Sequence, residues 1–225
     1  MTDLLLLAGV GAILALDSVH LGQVMVSRPI VLGPVAGWVA GDLATGLWAG
    51  ALTELVWIAI LPIGPYTPPD ASLATLAAVA AAIPWGGGPA AVAAGIALGV
   101  PVGILGRRCD VVLRRRLTRL SERIAADLEA GRIPSLAGAI VLGCAGAAAK
   151  TFFLVLGAGL SARLFAPEVR EILARPAVGR GLAAGASLLP AVGLATVTDL
   201  LEFRLHARSF LFGAVVAAVA WLLAG

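Results

Sequence analysis

Glu54 is the residue whose chemistry most needs an explanation. It interrupts an apolar run from Leu43 to Leu61 and follows Gly46 and Gly50 at four-residue intervals. On a helix these three positions share one face, and small residues at that spacing mark close helix contact, so the carboxylate is expected to face protein. A carboxylate there can accept paired hydrogen bonds from the hydroxyls of a sugar, carry a coupling proton, or, if protonated, bind a neighbouring helix. Gln23 is the only glutamine in a chain without asparagine, which makes it the sole carboxamide able to donate and accept together.

Other polar groups cluster nearby. Asp17 and His20 stand one helical turn apart and can bond to each other; two ligands at this spacing are weak grounds for a metal, and none is expected. Arg28, before Pro29, can position a ligand, pair with a carboxylate or reach lipid headgroups. Asp42 and Asp70 precede apolar runs and suit helix N-caps. Two further patterns are decoys. Gly157-Ala-Gly159-Leu-Ser-Ala162 matches a dinucleotide fingerprint with no strand before it, and Asp199, Glu202 and His206 mimic a metal triad at an exposed helix end. No Walker motif, nucleophile elbow or HExxH occurs, so no catalytic residue and no cofactor is expected.

The elements that must position these groups follow from composition. Of 225 residues, 60% are hydrophobic and 13% charged, about half the charge that coats a soluble domain. The mean hydropathy is +1.00. This excludes a cytoplasmic enzyme, a disordered chain and a conventional nucleic-acid binder, and leaves an all-α, polytopic membrane protein. The net charge of +3 carries no nucleic-acid signal, because eight arginines lie between Arg107 and Arg132, mixed with Asp110, Glu122, Asp127 and Glu129. That segment reads as a solvated cytoplasmic connector marking topology, helical and amphipathic in part, with Gly131 near its stop. Cys109 and Cys144 lack metal or redox spacing and are expected to be reduced thiols. Met1-Thr2-Asp3 supplies no positive region before the first apolar run, so that run reads as a span and not a cleaved leader.

One membrane domain over 1–225 is expected, in three parts: a polar-site-bearing core over 1–106, the connector over 107–132 and a helical half over 133–225. Leu4 to Val26 is the first candidate span. Pro29 to Gly41 is too short to cross and reads as a half-helix or re-entrant piece, which a membrane tolerates only inside protein or beside a cavity. Leu43 to Leu61 follows, then the proline-punctuated loop Pro62 to Asp70, and helices over Ala71 to Ile83 and Ala90 to Gly106. Ser135 to Leu160 is a long span containing Lys150, the only lysine; 163–180 reads as an interfacial helix, and Gly181 to Val197 and Phe210 to Leu223 as the last apolar segments. Close-packing stripes are expected at Gly33, Gly37 and Gly41, at Gly46 and Gly50, at Gly95, Gly99 and Gly103, and at Gly181 and Gly185.

The block Ser27-Arg-Pro-Ile-Val-Leu-Gly-Pro-Val-Ala-Gly-Trp-Val-Ala-Gly-Asp42, followed by Thr45-Gly46 and Thr53-Glu54-Leu55, resembles the IIC subunit of the mannose/fructose/sorbose family of the bacterial phosphotransferase system. The Pro62-Ile63-Gly64 and Pro68-Pro69-Asp70 loop is similar to that family's, as are Gly181-Leu182 and Leu189-Pro190-Ala191-Val192-Gly193. The resemblance implies a multi-pass subunit of the bacterial inner membrane. Such a subunit pairs with a IID membrane subunit in a larger oligomer and moves a hexose inward while soluble IIA and IIB subunits relay a phosphoryl group to it. It also implies that Glu54 and Gln23, and further Asp17, Arg28, Asp42, Thr53 and Asp70, handle the sugar. The chain departs from the family pattern at Ser27, where many relatives carry histidine, and at Arg180 and Ala183, where asparagine is common. Two alternatives stay open on the residues: a non-transporting regulatory partner of a IID-like protein, and a proton-coupled transporter with Glu54 as the carrier.

Overall fold

The computed structural model describes residues 1–18, 21–58, 67–200, 208–209, 211–213 and 215–216. His20, Pro62 to Tyr66, Glu202, His206, most of Phe210 to Leu223 and the side chain of Asp199 lie outside the described residues. Those described form eight α-helices and no strand: α1 (Thr2–Ala15), α2 (Pro29–Val39), α3 (Leu43–Trp57), α4 (Ala71–Ala82), α5 (Gly88–Glu129), α6 (Ala137–Leu164), α7 (Ala166–Ala174) and α8 (Pro176–Leu200). Helices α5, α6 and α8 are long and apolar enough to cross a membrane.

The first four helices are short. A 12-residue helix such as α4 reaches ~18 Å against a hydrocarbon core of ~30 Å, so it cannot cross alone. Every residue of α4 from Ser72 to Ala82 is buried, because α2, α3, α5 and α6 all pack around it. The first expected span, Leu4 to Val26, is not one helix. It ends at Ala15 and passes through a 3-10 turn over Leu16–Ser18, where the Asp17 carboxylate collects the amides of Val24 and Ser27 at 2.7 and 3.3 Å and so offers the backbone an alternative to helix.

Glycine sets the two tightest contacts. A Cβ on Gly33 would lie 2.5 Å from the Gly50 Cα and 2.6 Å from the Gly46 carbonyl oxygen; one on Gly37 would lie 2.6 Å from the Gly46 Cα. Helices α2 and α3 therefore touch backbone to backbone. On α5, a Cβ at Gly95 would meet the Ala78 carbonyl at 2.6 Å and one at Gly103 the Asp70 carbonyl at 2.8 Å, which seats α4 in the α5 groove. Three expected stripe positions behave differently. Gly41 has φ +85° and no neighbour within 4 Å among the described residues, so it turns the chain out of α2; Gly181 and Gly185 likewise meet none of the described residues within 4 Å.

Other boundaries shift too. The Arg-rich segment is helical, as expected, and continuous with the helix before it: α5 runs unbroken for 42 residues, about 63 Å, through Pro101 and past Arg107 to Glu129. It stops beside Gly131, at φ +73°, as expected. The interfacial helix is shorter than 163–180: α7 spans Ala166–Ala174, and Pro176 already opens α8, which takes Arg180 with it. Arg170 donates to the Pro84 carbonyl at 2.7 Å and Trp85 Nε1 to Ala162 at 2.9 Å, so α7 closes the end of the bundle opposite Asp70.

Gly33→Ala is expected to lower stability by about 1–3 kcal/mol, because backbone atoms cannot yield to the new methyl. Gly9→Ala, on α1 with nothing within 4 Å, should leave the thermal midpoint in detergent unchanged or slightly raised. Equal loss in both variants would refute backbone contact as the constraint.

Candidate functional site

The stripe that locks α2 to α3 also delivers the site. One turn beyond Gly50, Glu54 reaches the N-terminus of α2, where it pairs with the Arg28 guanidinium and accepts the Ile30 amide at 3.3 Å. Arg28 is the N-cap of α2 but makes no side-chain cap, so Glu54 supplies from another helix the acceptor that this N-terminus needs. Its side chain is 12% exposed against 44% for Arg28, so the carboxylate sits inward and the guanidinium toward the opening.

Asp17 holds the loop leading to Arg28. It is buried, at 6% exposure, and takes hydrogen bonds from the Val24 and Ser27 amides and the Ser27 hydroxyl. That loop carries positive φ at Gln23 (52°) and Met25 (70°), a conformation that side chains other than glycine seldom adopt. Ser72 of α4 donates to the Ser27 carbonyl at 2.9 Å and ties the loop to the third element of the site.

Asp70 caps α4 through the Leu73 amide at 2.9 Å, and its second oxygen takes Lys150 Nζ at 2.6 Å. Lys150 also donates to both Asp110 oxygens, at 2.8 and 3.0 Å. One ammonium from α6 thus joins carboxylates from α4 and α5. Asp17, Gln23, Arg28, Glu54, Asp70, Asp110, Arg114 and Trp57 together line a cavity of about 550 Å³, within the range of small-molecule pockets. The Trp57 indole N–H is buried and has no acceptor among the described residues.

Five of the seven expected site residues converge there and two do not. Asp42 caps α3, accepting from the Thr45 amide at 3.0 Å and the Thr45 hydroxyl at 2.5 Å, near the opposite end of α3 from Glu54. Those bonds hold its carboxyl below the ordinary carboxylate range. Thr53 is buried and donates to the Ala49 carbonyl at 2.6 Å. Neither lines the cavity. Conversely, Asp110 and Trp57 line the cavity and Lys150 braces it, three residues that the sequence does not mark as site residues; a lone lysine inside an apolar span is the signal for Lys150, since such a group needs a partner. Among the described residues no group of three or more His, Cys, Asp or Glu side chains could hold a metal. The Gly157 to Ala162 motif lies inside α6.

The family model for the PTS system sorbose-specific IIC component matches residues 1–223. The chain belongs to that family. Among curated relatives, this IIC-family chain is 40% identical over 83 residues to the putative N-acetylgalactosamine permease IIC component 2 of Escherichia coli K12, a match spanning 37% of this chain and 62% of the relative. It is 26% identical over 218 residues to the mannose-specific EIIC component of the same organism, covering 94% of this chain and 76% of the relative. A solved structure described only as a membrane protein aligns with a TM-score of 0.76 at 25% identity, over 97% of this chain and 87% of that one. The mannose transporter ManYZ in complex with microcin E492 aligns over the same shares with a TM-score of 0.53 at 23% identity, and so shows the fold alone. The IIC-family chain is a multi-pass protein of the bacterial inner membrane.

Removing the shared cation should be costly. Lys150→Met leaves Asp70 and Asp110 facing each other, and a loss of about 3 kcal/mol, roughly 6–12 °C in thermal midpoint, is expected. Adding Asp110→Asn should restore part of it, read from melting curves of the purified chain.

Proposed function

We propose that this IIC-family member is the sugar-translocating subunit of a mannose-type phosphotransferase permease. It binds a hexose in the Glu54 cavity and moves it inward for phosphorylation by a soluble IIB subunit, itself supplied by IIA. A IID membrane subunit pairs with it, and the pairs assemble into a larger oligomer. The observation that carries the reading is the cavity itself, in which Glu54 and Asp70 offer acceptors, Arg28 offers donors, and Gln23 offers both. A sugar presents hydroxyls that donate and accept together, and this mixed wall suits them. The Trp57 ring adds an apolar face against which a pyranose can pack.

Orientation follows from α5. The Asp70 amide bonds the Gly103 carbonyl at 3.1 Å, so the cavity lies level with the segment of α5 that enters its arginine-rich half. The positive-inside rule places that half, and the cavity mouth with Arg114, on the cytoplasmic side. Glu54 acts as the principal hydroxyl acceptor, Arg28 orients it, and Asp17 fixes the loop that presents Gln23. Asp42 and Thr53 serve by holding α3.

In vesicles containing this chain with its IID partner and the soluble subunits, phosphorylated sugar should appear inside only when phosphoenolpyruvate is supplied. Glu54→Gln should cut that rate roughly 30- to 100-fold, as expected for loss of a charged hydrogen-bond acceptor. Assembly without accumulation of any hexose or amino sugar would instead favour a non-transporting regulatory partner. Accumulation without phosphoenolpyruvate that collapses with a proton ionophore would favour proton coupling.

Asp42→Asn keeps the cap and should leave uptake within about twofold of wild type, whereas Asp42→Ala should cost about 1 kcal/mol of stability in a detergent melt. A large uptake loss in Asp42→Asn at unchanged stability would place Asp42 in the sugar path.

A further inference from the structure

On the face of α5 and α6 turned away from the cavity lies a second concavity of about 520 Å³. Its floor is apolar, made by Val112, Ala149 and Phe153, and Gly146 gives it depth. Arg108 and Arg116 stand at its rim, eight residues or ~12 Å apart along α5. Both are exposed and form no ion pair among the described residues, and no acidic side chain lines the groove. Lys150, at its inner wall, already has its charge met by Asp70 and Asp110.

We propose that this groove binds one anionic phospholipid, with the headgroup phosphate on Arg108 and Arg116 and an acyl chain laid across Ala149 and Phe153. Three observations favour a lipid. The arginines begin where the apolar window of α5 ends, which is the depth of the headgroup layer. Ile104 and Leu105, exposed one turn nearer the bilayer centre, continue the apolar floor into the hydrocarbon, so a chain has somewhere to run. The unmatched positive charge is complementary to a phosphate, which guanidinium groups bind in bidentate fashion, and basic pockets between helices on the cytoplasmic side suit anionic headgroups. The site is separate from the Glu54 cavity and does not depend on sugar transport.

The test is retention of lipid by the purified full-length chain in native mass spectrometry, titrated with palmitoyl-oleoyl phosphatidylglycerol and, separately, with the phosphatidylcholine of the same chains. A preference for the anionic lipid of roughly ten- to thirtyfold is expected from two arginines. Arg108→Gln with Arg116→Gln should bring the two lipids to parity, and Ala149→Trp, which fills the floor, should remove both. Arg116→Gln alone, at an exposed side chain, should lower the preference severalfold and decides the matter if the double variant misfolds. Parity in wild type, or a preference that survives either the arginine changes or Ala149→Trp, overturns the proposal. So does displacement by glycerol 3-phosphate at equal concentration, since a headgroup alone would then suffice. Equal retention of both lipids, with Ala149→Trp abolishing co-purification of a second membrane subunit, also overturns it and assigns the groove to protein.

Discussion

Backbone contact between Gly33 and Gly37 on one side and Gly46 and Gly50 on the other governs everything at the polar end of this molecule. Two helices can approach this closely only where neither carries a side chain, and that approach fixes their relative rotation and register. Once the register is set, the next turn of α3 has to place Glu54 against the first turn of α2. The carboxylate then meets Arg28 and the Ile30 amide without any further device. A methyl on any of these glycines would push the pair apart and carry Glu54 away from the N-terminus it satisfies.

The same construction occurs a second time. Helix α5 offers Gly95, Gly99, Gly103 and Gly106 to α4, and the row leads along α4 through Ala78 and Ala74 to Asp70. There too the stripe ends in charge, with Asp70 on α4, Asp110 on α5 and Lys150 completing the group from α6. Both stripes end at one cavity. Short helices need this arrangement: α2 and α4 are too short to cross, so their N-termini lie inside the protein, and each leaves amide donors that only a carboxylate or water can satisfy. The negative groups at the ends of the half-helices are thus required by the fold before any ligand is considered.

Sequence reasoning reached the half-helix over Pro29 to Gly41, the Asp42 and Asp70 caps and the protein-facing side of Glu54, because each rests on local spacing and cap chemistry. It could not reach the partners of those groups. That Glu54 would take Arg28 and not a distant cation depends on the α2–α3 approach, and that Asp70 would find Lys150, 80 residues away, depends on how α6 returns past α4. The Arg-rich segment was legible as partly helical but not as the continuation of the helix before it. Its arginines read the same on a separate helix or at the far end of a long one, and only continuity through Arg107 brings Asp110 and Arg114 to the cavity wall. Gly41 was likewise indistinguishable by spacing from Gly33 and Gly37, although its work is conformational and theirs steric.

Ion pairs buried inside a protein are poor choices for stability alone, because desolvation can exceed the attraction and apolar residues of similar volume often serve as well. Their placement here is therefore informative. Arg28 and Glu54 come from α2 and α3, which the first glycine stripe already fixes, whereas Lys150 brings α6 to Asp70 of α4 and Asp110 of α5, the pair that the second stripe fixes. Any motion of α6 against the α4–α5 pair leaves both glycine contacts intact, whereas the Lys150 bridges span that boundary and must loosen or shift. A charged latch is suited to such a boundary because water or a hydroxyl-bearing ligand can replace its partners, as neither can replace buried hydrocarbon. On this reading the two charge clusters differ in kind: Glu54 with Arg28 presents the site, and Lys150 with its two carboxylates joins the site to the helices around it.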